Sequence, residues 1–404
     1  MKILLFFPTV LIVFAFIFDA PSSIAKGLYS IVISKDILLT DYLAVGGIGA
    51  AFLNAAVLAY ANIYIIHRLK VKITGPVLAG LLTITGFSFF GKNVFNVWPI
   101  YLGGLLYAKY QKTEFKNVLI VMMFSTALAP IVTEVTFGLS LSYDISVPLG
   151  ISIGMFCGFV AVPLAANMNK LHDGYNLYNI GFTAGLIGTI INSLLRSFDI
   201  NISQQQILSS DYEAELQAVL VIFFLFLIVL GFVKNGKSFK GYSGILKHSG
   251  RLVTDFTQLD GYSLTFVNMG IMGFISMMFV VILGGTFNGP VFGSVLTVAG
   301  FAAFGKHPKN TIPILTGIFV AGMLKIWDLS STSVIIAGLF GTTLAPIAGR
   351  YGFFAGAAAG FLHLSVVMNV GIIHGGINLY NNGFSGGIVA SLMFPVLEAL
   401  KKGD

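Results

Sequence analysis

The chain is expected to fold as an all-α, polytopic membrane protein of about fourteen membrane segments. These are expected to form two inverted-topology repeats of six segments each, with broken or re-entrant helices among them. Three observations predict this. Hydrophobic residues make up 56% of the 404 positions and charged residues only 10%, against roughly 25% charged in an ordinary soluble domain. Apolar runs near twenty residues, the length that crosses a bilayer, recur from end to end. And a fifteen-residue stretch occurs twice.

The first copy begins at His172 and reads His-Asp-Gly-Tyr-Asn-Leu-Tyr-Asn-Ile-Gly-Phe-Thr-Ala-Gly-Leu. The second begins at His374 and reads His-Gly-Gly-Ile-Asn-Leu-Tyr-Asn-Asn-Gly-Phe-Ser-Gly-Gly-Ile. Nine of the fifteen positions are identical, at an offset of 202. Thr183/Ser385, Ala184/Gly386 and Leu186/Ile388 exchange like for like. Duplication combined with polarity inside an apolar half-chain is the signature of a transporter or channel core.

Composition also excludes. No soluble domain is expected, because the longest polar stretches are only 199–213 and 234–260. The net charge of +7 does not point to nucleic acid. Its lysines and arginines sit between apolar segments, where they set topology. The one cysteine, Cys157, rules out a disulfide framework and a thiolate metal site. No cofactor and no metal is expected.

Taken in order, the first segment is 3–19. A signal peptide is the alternative there, since an Ala-Pro-Ser-Ser-Ile-Ala stretch follows; an uncleaved span is the reading adopted. A second runs 43–66 and ends in His67-Arg68-Leu69-Lys70. Then come 74–90, 95–110, 117–137, 148–168 and 175–197. After an acid-leaning loop there is 214–233, and after a basic loop come 262–284, 289–304, 310–324, 332–348, 351–370 and 376–399.

The duplication reaches further than the opening motif. Gly75-Pro76-Val77 recurs as Gly289-Pro290-Val291. Phe90-Gly91-Lys92, Asn96, Pro99-Ile100 and Gly103 recur as Phe304-Gly305-Lys306, Asn310, Pro313-Ile314 and Gly317. Leu128-Ala129-Pro130-Ile131 recurs as Leu344-Ala345-Pro346-Ile347. The expected organisation is an N-terminal span and outer loop (1–40), repeat 1 (41–198), a linking span with a basic loop (199–259) and repeat 2 (260–404).

Charge sets the orientation. With Arg68, Lys70 and Lys72 inside, the basic loop 234–251 and Lys401-Lys402 fall inside and 199–213 falls outside. Lys92 and the Lys325/Asp328 loop are the exceptions. Six crossings and one linking span make an odd number, so the second repeat enters from the opposite face. Both termini are then cytoplasmic and the repeats are inverted.

Each motif has a functional and a bland reading. Asn176, Asn179, Asn378 and Asn381 carry both donors and acceptors, as a site for a polar solute needs. With Tyr178, Tyr380, Phe182, Phe384, Thr183 and Ser385 they are candidates for lining a central site; the bland reading is helix–helix glue. Pro99 and Pro313 break the helical ladder, and Asn96 or Asn310 can satisfy the freed groups or meet the solute. Lys92 and Lys306 are candidates for a pore mouth, or snorkel to headgroups. His172 and His374 are pore-mouth candidates too, or interfacial caps. No His-x-x-x-His or paired carboxylate accompanies them. His363 has no histidine counterpart in repeat 1, where Ala161 stands.

On these signatures the chain resembles a family of uncharacterised multi-pass bacterial membrane proteins defined only as a domain of unknown function. That likeness implies the fold and no activity. A fainter resemblance is to urea transporters, through Asn96-Val-Trp-Pro99-Ile-Tyr-Leu-Gly103 followed by Asn176-Leu-Tyr178-Asn179-Ile-Gly181-Phe182. It implies that Asn96, Asn310, Phe182, Phe384, Thr183 and Ser385 fall near a slot-like pore.

The expected function is an integral plasma-membrane transporter or channel, not an enzyme. It would pass a small polar solute through a central site at the repeat interface. The alternatives are an ion-coupled carrier of a small organic anion and, in another class, an intramembrane enzyme or a scaffold. The expected partners are the lipid bilayer and the solute, with no nucleic acid; a homo-oligomer is open.

Overall fold

The computed structural model describes residues 2–139, 141–202, 204–324 and 326–401. Lys325 and Lys402, counted above among the loop charges, lie outside them. The described chain is all-helical apart from isolated backbone bridges such as Asp41 with Phe90 and Asp255 with Phe304. The main elements are α1 (Lys2–Phe18), α2 (Pro21–Val32), α3 (Ile48–Arg68), α4 (Gly75–Phe87), α5 (Trp98–Tyr110), α6 (Leu119–Gly138), α7 (Tyr143–His172) and α8 (Asn179–Ser197). They continue with α9 (Glu213–Lys234), α10 (Gly261–Ile282), α11 (Gly289–Phe301), α12 (Pro308–Leu324), α13 (Thr332–Tyr351), α14 (Phe353–Val370) and α15 (Asn381–Lys401).

Nine of these are long and apolar enough to cross a membrane, or ten if α1 and α2, bent 115° from one another, make one span. The chain is therefore a multi-pass helical membrane protein. The remaining four of the fourteen expected segments are shorter. α4, α5 and α11 have 13 residues each and α12 has 17. Thirteen residues rise about 20 Å, short of the ~30 Å hydrocarbon core.

Local sequence stops these helices. α4 and α11 open on Gly-Pro, with proline in the first turn where its missing N–H is no loss. Each gives way to a turn at a glycine, Gly91 (φ +88°) or Gly305 (φ +87°). The carbonyls orphaned at the helix end need partners. Asn54 of α3 donates through Nδ2 to the carbonyls of Ser88 (2.7 Å) and Lys92 (2.9 Å). Asn268 of α10 does the same for Ala302 and Lys306, both at 2.8 Å.

α6 and α13 are broken mid-way by tight turns at Thr126–Leu128 and Thr342–Leu344, each followed by a proline (Pro130, Pro346) that cannot donate. The carbonyls loosened there bind the chain that crosses them. Leu379 N donates to Ala127 O (2.9 Å) and Leu177 N donates to Thr343 O (3.0 Å).

Those two bonds swap halves, and the pattern is general. Asp41 accepts from Gly289 N while Asp255 accepts from Gly75 N. Asn176 donates to Gly383 O while Asn378 donates to Gly181 O. Gly91 abuts Leu379 while Gly305 abuts Leu177. Contacts between the two halves are thus exchanged reciprocally at these positions. α4 packs on its counterpart α11, and α8 on its counterpart α15. α1 lies against α3 as α9 lies against α10. The correspondence in packing thus includes two spans in which no repeated sequence motif is visible.

Candidate functional site

A cavity of about 360 Å³ lies where the two halves meet. Its walls come in counterpart pairs: Thr83 with Thr297, Phe87 with Phe301, Phe124 with Phe340, Tyr178 with Tyr380, and Gly181 with Gly383. Half-helices α4 and α11 supply the threonines and two phenylalanines. The breaks of α6 and α13 bring Phe124 and Phe340. The loops entering α8 and α15 bring the tyrosines. The lining is not symmetric throughout. Leu252 and Val253, on the basic connector between the halves, close one end, and Val253 is 76% exposed.

The wall is aromatic. Tyr178 meets Phe301 edge-on (4.4 Å between centroids), and Tyr380 lies against Phe87 (4.6 Å). Polar groups are few. Thr83 Oγ1 is buried and has no hydrogen-bond partner among the described residues, whereas Thr297 donates to Gly293 O of its own helix (2.8 Å).

Behind the tyrosines stand two lysines, both fully buried. Lys92 Nζ donates to Tyr380 Oη (2.5 Å) and sits 4.6 Å from that ring's centre and 5.0 Å from Phe87's. Lys306 Nζ donates to Tyr178 Oη (2.6 Å) and Thr342 Oγ1 (2.7 Å), over the Tyr178 and Phe301 rings. The turn after each half-helix carries its lysine inward, beneath the crossing loop rather than out to the headgroups.

Of the residues singled out in the sequence, Tyr178, Tyr380 and Asn179 line the cavity. The four amides of the repeated motif all have protein partners. Asn179 is held by His172 Nε2 (3.0 Å) and donates to Ala165 O (2.9 Å); Asn381 is held by His374 (2.9 Å) and donates to Val367 O (3.2 Å). Asn176 and Asn378 clamp the facing helix starts at Gly383 and Gly181. Phe182 and Phe384 stack on each other (6.2 Å) and pack with Val370. Thr183 donates back to Asn179 O, and Ser385 contacts His363 Nδ1.

Asn96 and Asn310 fasten the half-helix turns, donating to Gly91 O (3.0 Å) and Gly305 O (2.8 Å). Asn96 also donates to Asp36 Oδ2 (3.0 Å), which with Tyr42 and Asn93 forms a closed buried network. His172 and His374 are fully buried. His363 holds Asn382, a cavity residue, through Nε2 (3.0 Å). Among the described residues no three His, Cys, Asp or Glu side chains gather as a metal site would need.

Sequence reasoning missed Thr83, Thr297, Phe87, Phe301, Phe124 and Phe340. Each occupies the same place in both copies, but Phe87/Phe301 and Phe124/Phe340 read in the sequence only as matched apolar residues of a repeat, with nothing to mark a cavity.

The family model described as "Protein of unknown function (DUF1576)" matches residues 20–197 and again 234–399. No curated protein and no solved structure matches the chain. The two matched stretches take in most of its length, and the chain belongs to that family.

Proposed function

We propose that the protein is a transporter or channel, not an enzyme, and that it passes a small polar solute through the cavity at the meeting of its halves. One observation carries the reading. The cavity is built from counterpart residues of both halves, at a point where α4, α11, α6 and α13 all end or break. Irregular backbone at membrane depth is tolerated only where it is buried in protein or lines a route or a site. The reciprocal contacts fit a two-fold relation between the halves; the odd number of spans and the positions of the basic loops make it an inversion about an axis in the membrane plane, with both termini and loop 234–260 on the cytoplasmic face of the plasma membrane.

A second reading, an ion-coupled carrier, is favoured by the one-sided lining. Leu252 and Val253 border the cavity, but Leu38 and Leu39, which stand 214 residues earlier as Gly75 does to Gly289, do not. A site touching one face at a time suits alternating access.

The test is stopped-flow light scattering on proteoliposomes, with urea, glycerol, acetamide and potassium propionate plus valinomycin as osmolytes. At least one should equilibrate faster than in empty liposomes, and Thr83→Phe, which fills the cavity, should abolish the difference. No acceleration for any of them, or full flux through Thr83→Phe, would overturn the proposal.

A further inference from the structure

We propose that the cavity takes a small organic monocarboxylate, its carboxylate meeting the hydroxyls of Tyr380 and Thr83 with the Lys92 ammonium as counter-charge, and its apolar body lying against the phenylalanines. The inference rests on the transport reading only for where the solute sits.

An ammonium has three protons and no lone pair, whereas a phenol has one proton and two lone pairs. As an ammonium, the form a bound carboxylate favours, Lys92 can only donate to Tyr380, and the Tyr380 oxygen accepts. Its own proton has no acceptor among the described residues. The Thr83 hydroxyl, one helical turn before Phe87, is buried without a partner among the described residues. Two hydroxyl protons are thus unspent around one wall of the cavity. A carboxylate, which only accepts, can take up both protons.

Charge says the same. Lys92 and Lys306 are fully buried, and no carboxylate lies within ion-pair distance of either among the described residues. The nearby acid, Asp36, is taken up by Tyr42, Asn93 and Asn96. Aromatic faces soften a buried cation but do not neutralise it. An ion removed from water without a counter-ion is costly. A carboxylate in the cavity would supply the negative charge that holds Lys92 as an ammonium. Lys306, which shares its protons between Tyr178 and Thr342, repeats the device in the other half. A bare inorganic anion would leave the walls of Phe87, Phe124, Phe301 and Phe340 facing nothing apolar, so the anion carries a hydrocarbon part.

The experiment is thermal unfolding of the detergent-purified full chain with potassium benzoate, its neutral isostere benzamide, or potassium chloride at matched ionic strength. Benzoate should raise the midpoint well above the other two. In Tyr380→Phe the apparent affinity for benzoate should fall about tenfold or more, the worth of one charge-assisted hydrogen bond, with benzamide unaffected. Lys92→Met should lose the preference for the acid. If Lys92→Met does not fold, Tyr380→Phe and the wild-type comparison still decide. Equal stabilisation by benzamide or chloride, none by benzoate, or undiminished benzoate binding in Tyr380→Phe would overturn the proposal. Binding without flux would sink the transport reading and leave this one standing.

Discussion

Lys92 and Tyr380 lie 288 residues apart in the chain, and their side chains meet at 2.5 Å in the interior. Lys306 and Tyr178 meet at 2.6 Å in the same way. Each pair joins the half-helix turn of one half to the crossing loop of the other. The arrangement fixes the tyrosines at the cavity wall and brings a cation behind each. It also makes neither half complete alone, since every tyrosine is held by the other half's lysine.

The half-helix ends depend on two asparagines outside any recognised motif. Asn54→Ala should leave the carbonyls of Ser88 and Lys92 buried without donors. At roughly 1–3 kcal/mol for each stranded group, the expected loss is several kcal/mol, and Asn268→Ala should match it. Chemical unfolding in mixed micelles would measure both. Asn117→Ala, at an exposed surface hydrogen bond to Thr113, should stay near wild type. A loss of under about half a kcal/mol in either buried variant would mean the carbonyls find other partners.

The turns themselves require glycine. Gly91 and Gly305 both have positive φ, and a Cβ there would sit 2.4 Å from Leu379 Cδ2 and 2.7 Å from Leu177 Cδ2. Gly236 also has positive φ (+68°) but nothing within 4 Å. Alanine at Gly236 should therefore cost only backbone strain, of order 1–3 kcal/mol. Alanine at Gly91 or Gly305 should cost distinctly more, because the buried leucine facing it must also shift. Melting midpoints of the three variants give the ranking, and equal losses would contradict it.

How much of this was legible in the chain can be argued residue by residue. The helical segments were visible because apolar runs and proline breaks are local signals. The repeat was visible because polar residues recur at matched positions inside apolar sequence. Tyr178 and Tyr380, candidates for the same reason, line the cavity. The hydrogen bonds of the asparagines could not be read, because an amide that binds solute and one that binds a backbone carbonyl look alike in sequence. Their partners, Ala165 O, Val367 O, Gly181 O and Gly383 O, are set by folding. Nor did the lysines announce that they are buried. Lys92 follows Gly91 at what reads as a loop, and only the return of Tyr380 from the other half closes over it.

Access to the cavity can be tested from the basic connector. Val253 borders the cavity and is 76% exposed, whereas Cys157, the chain's one cysteine, is buried. Val253→Cys and Ser238→Cys should both react with an impermeant thiol reagent in inside-out vesicles and resist it in intact cells. Reaction at Val253→Cys should also slow flux, while reaction at Ser238→Cys should not. Labelling from the outer face would reverse the orientation. Unchanged flux after complete modification at Val253 would place the entrance elsewhere.

The asparagines of the repeated motif separate a structural from a solute-binding role. Asn179 keeps both ends occupied: Oδ1 faces His172 Nε2 and Nδ2 donates to Ala165 O. Asn381 is tied in the same way to His374 and Val367. Leucine at either position removes a donor from a buried carbonyl and a partner from a buried imidazole. The expected result is lost stability, about 2–5 kcal/mol for two stranded groups, and any lost flux would follow from unfolding. Thr83→Val removes a buried hydroxyl without a partner among the described residues, on a residue that lines the cavity. It should keep most of its stability and change flux or solute preference instead. Melting midpoints and flux measured on the same preparations decide between them. If Asn179→Leu and Asn381→Leu melt like wild type yet carry no solute, the amides themselves meet the solute, and the cavity reaches further into α8 and α15 than its present walls.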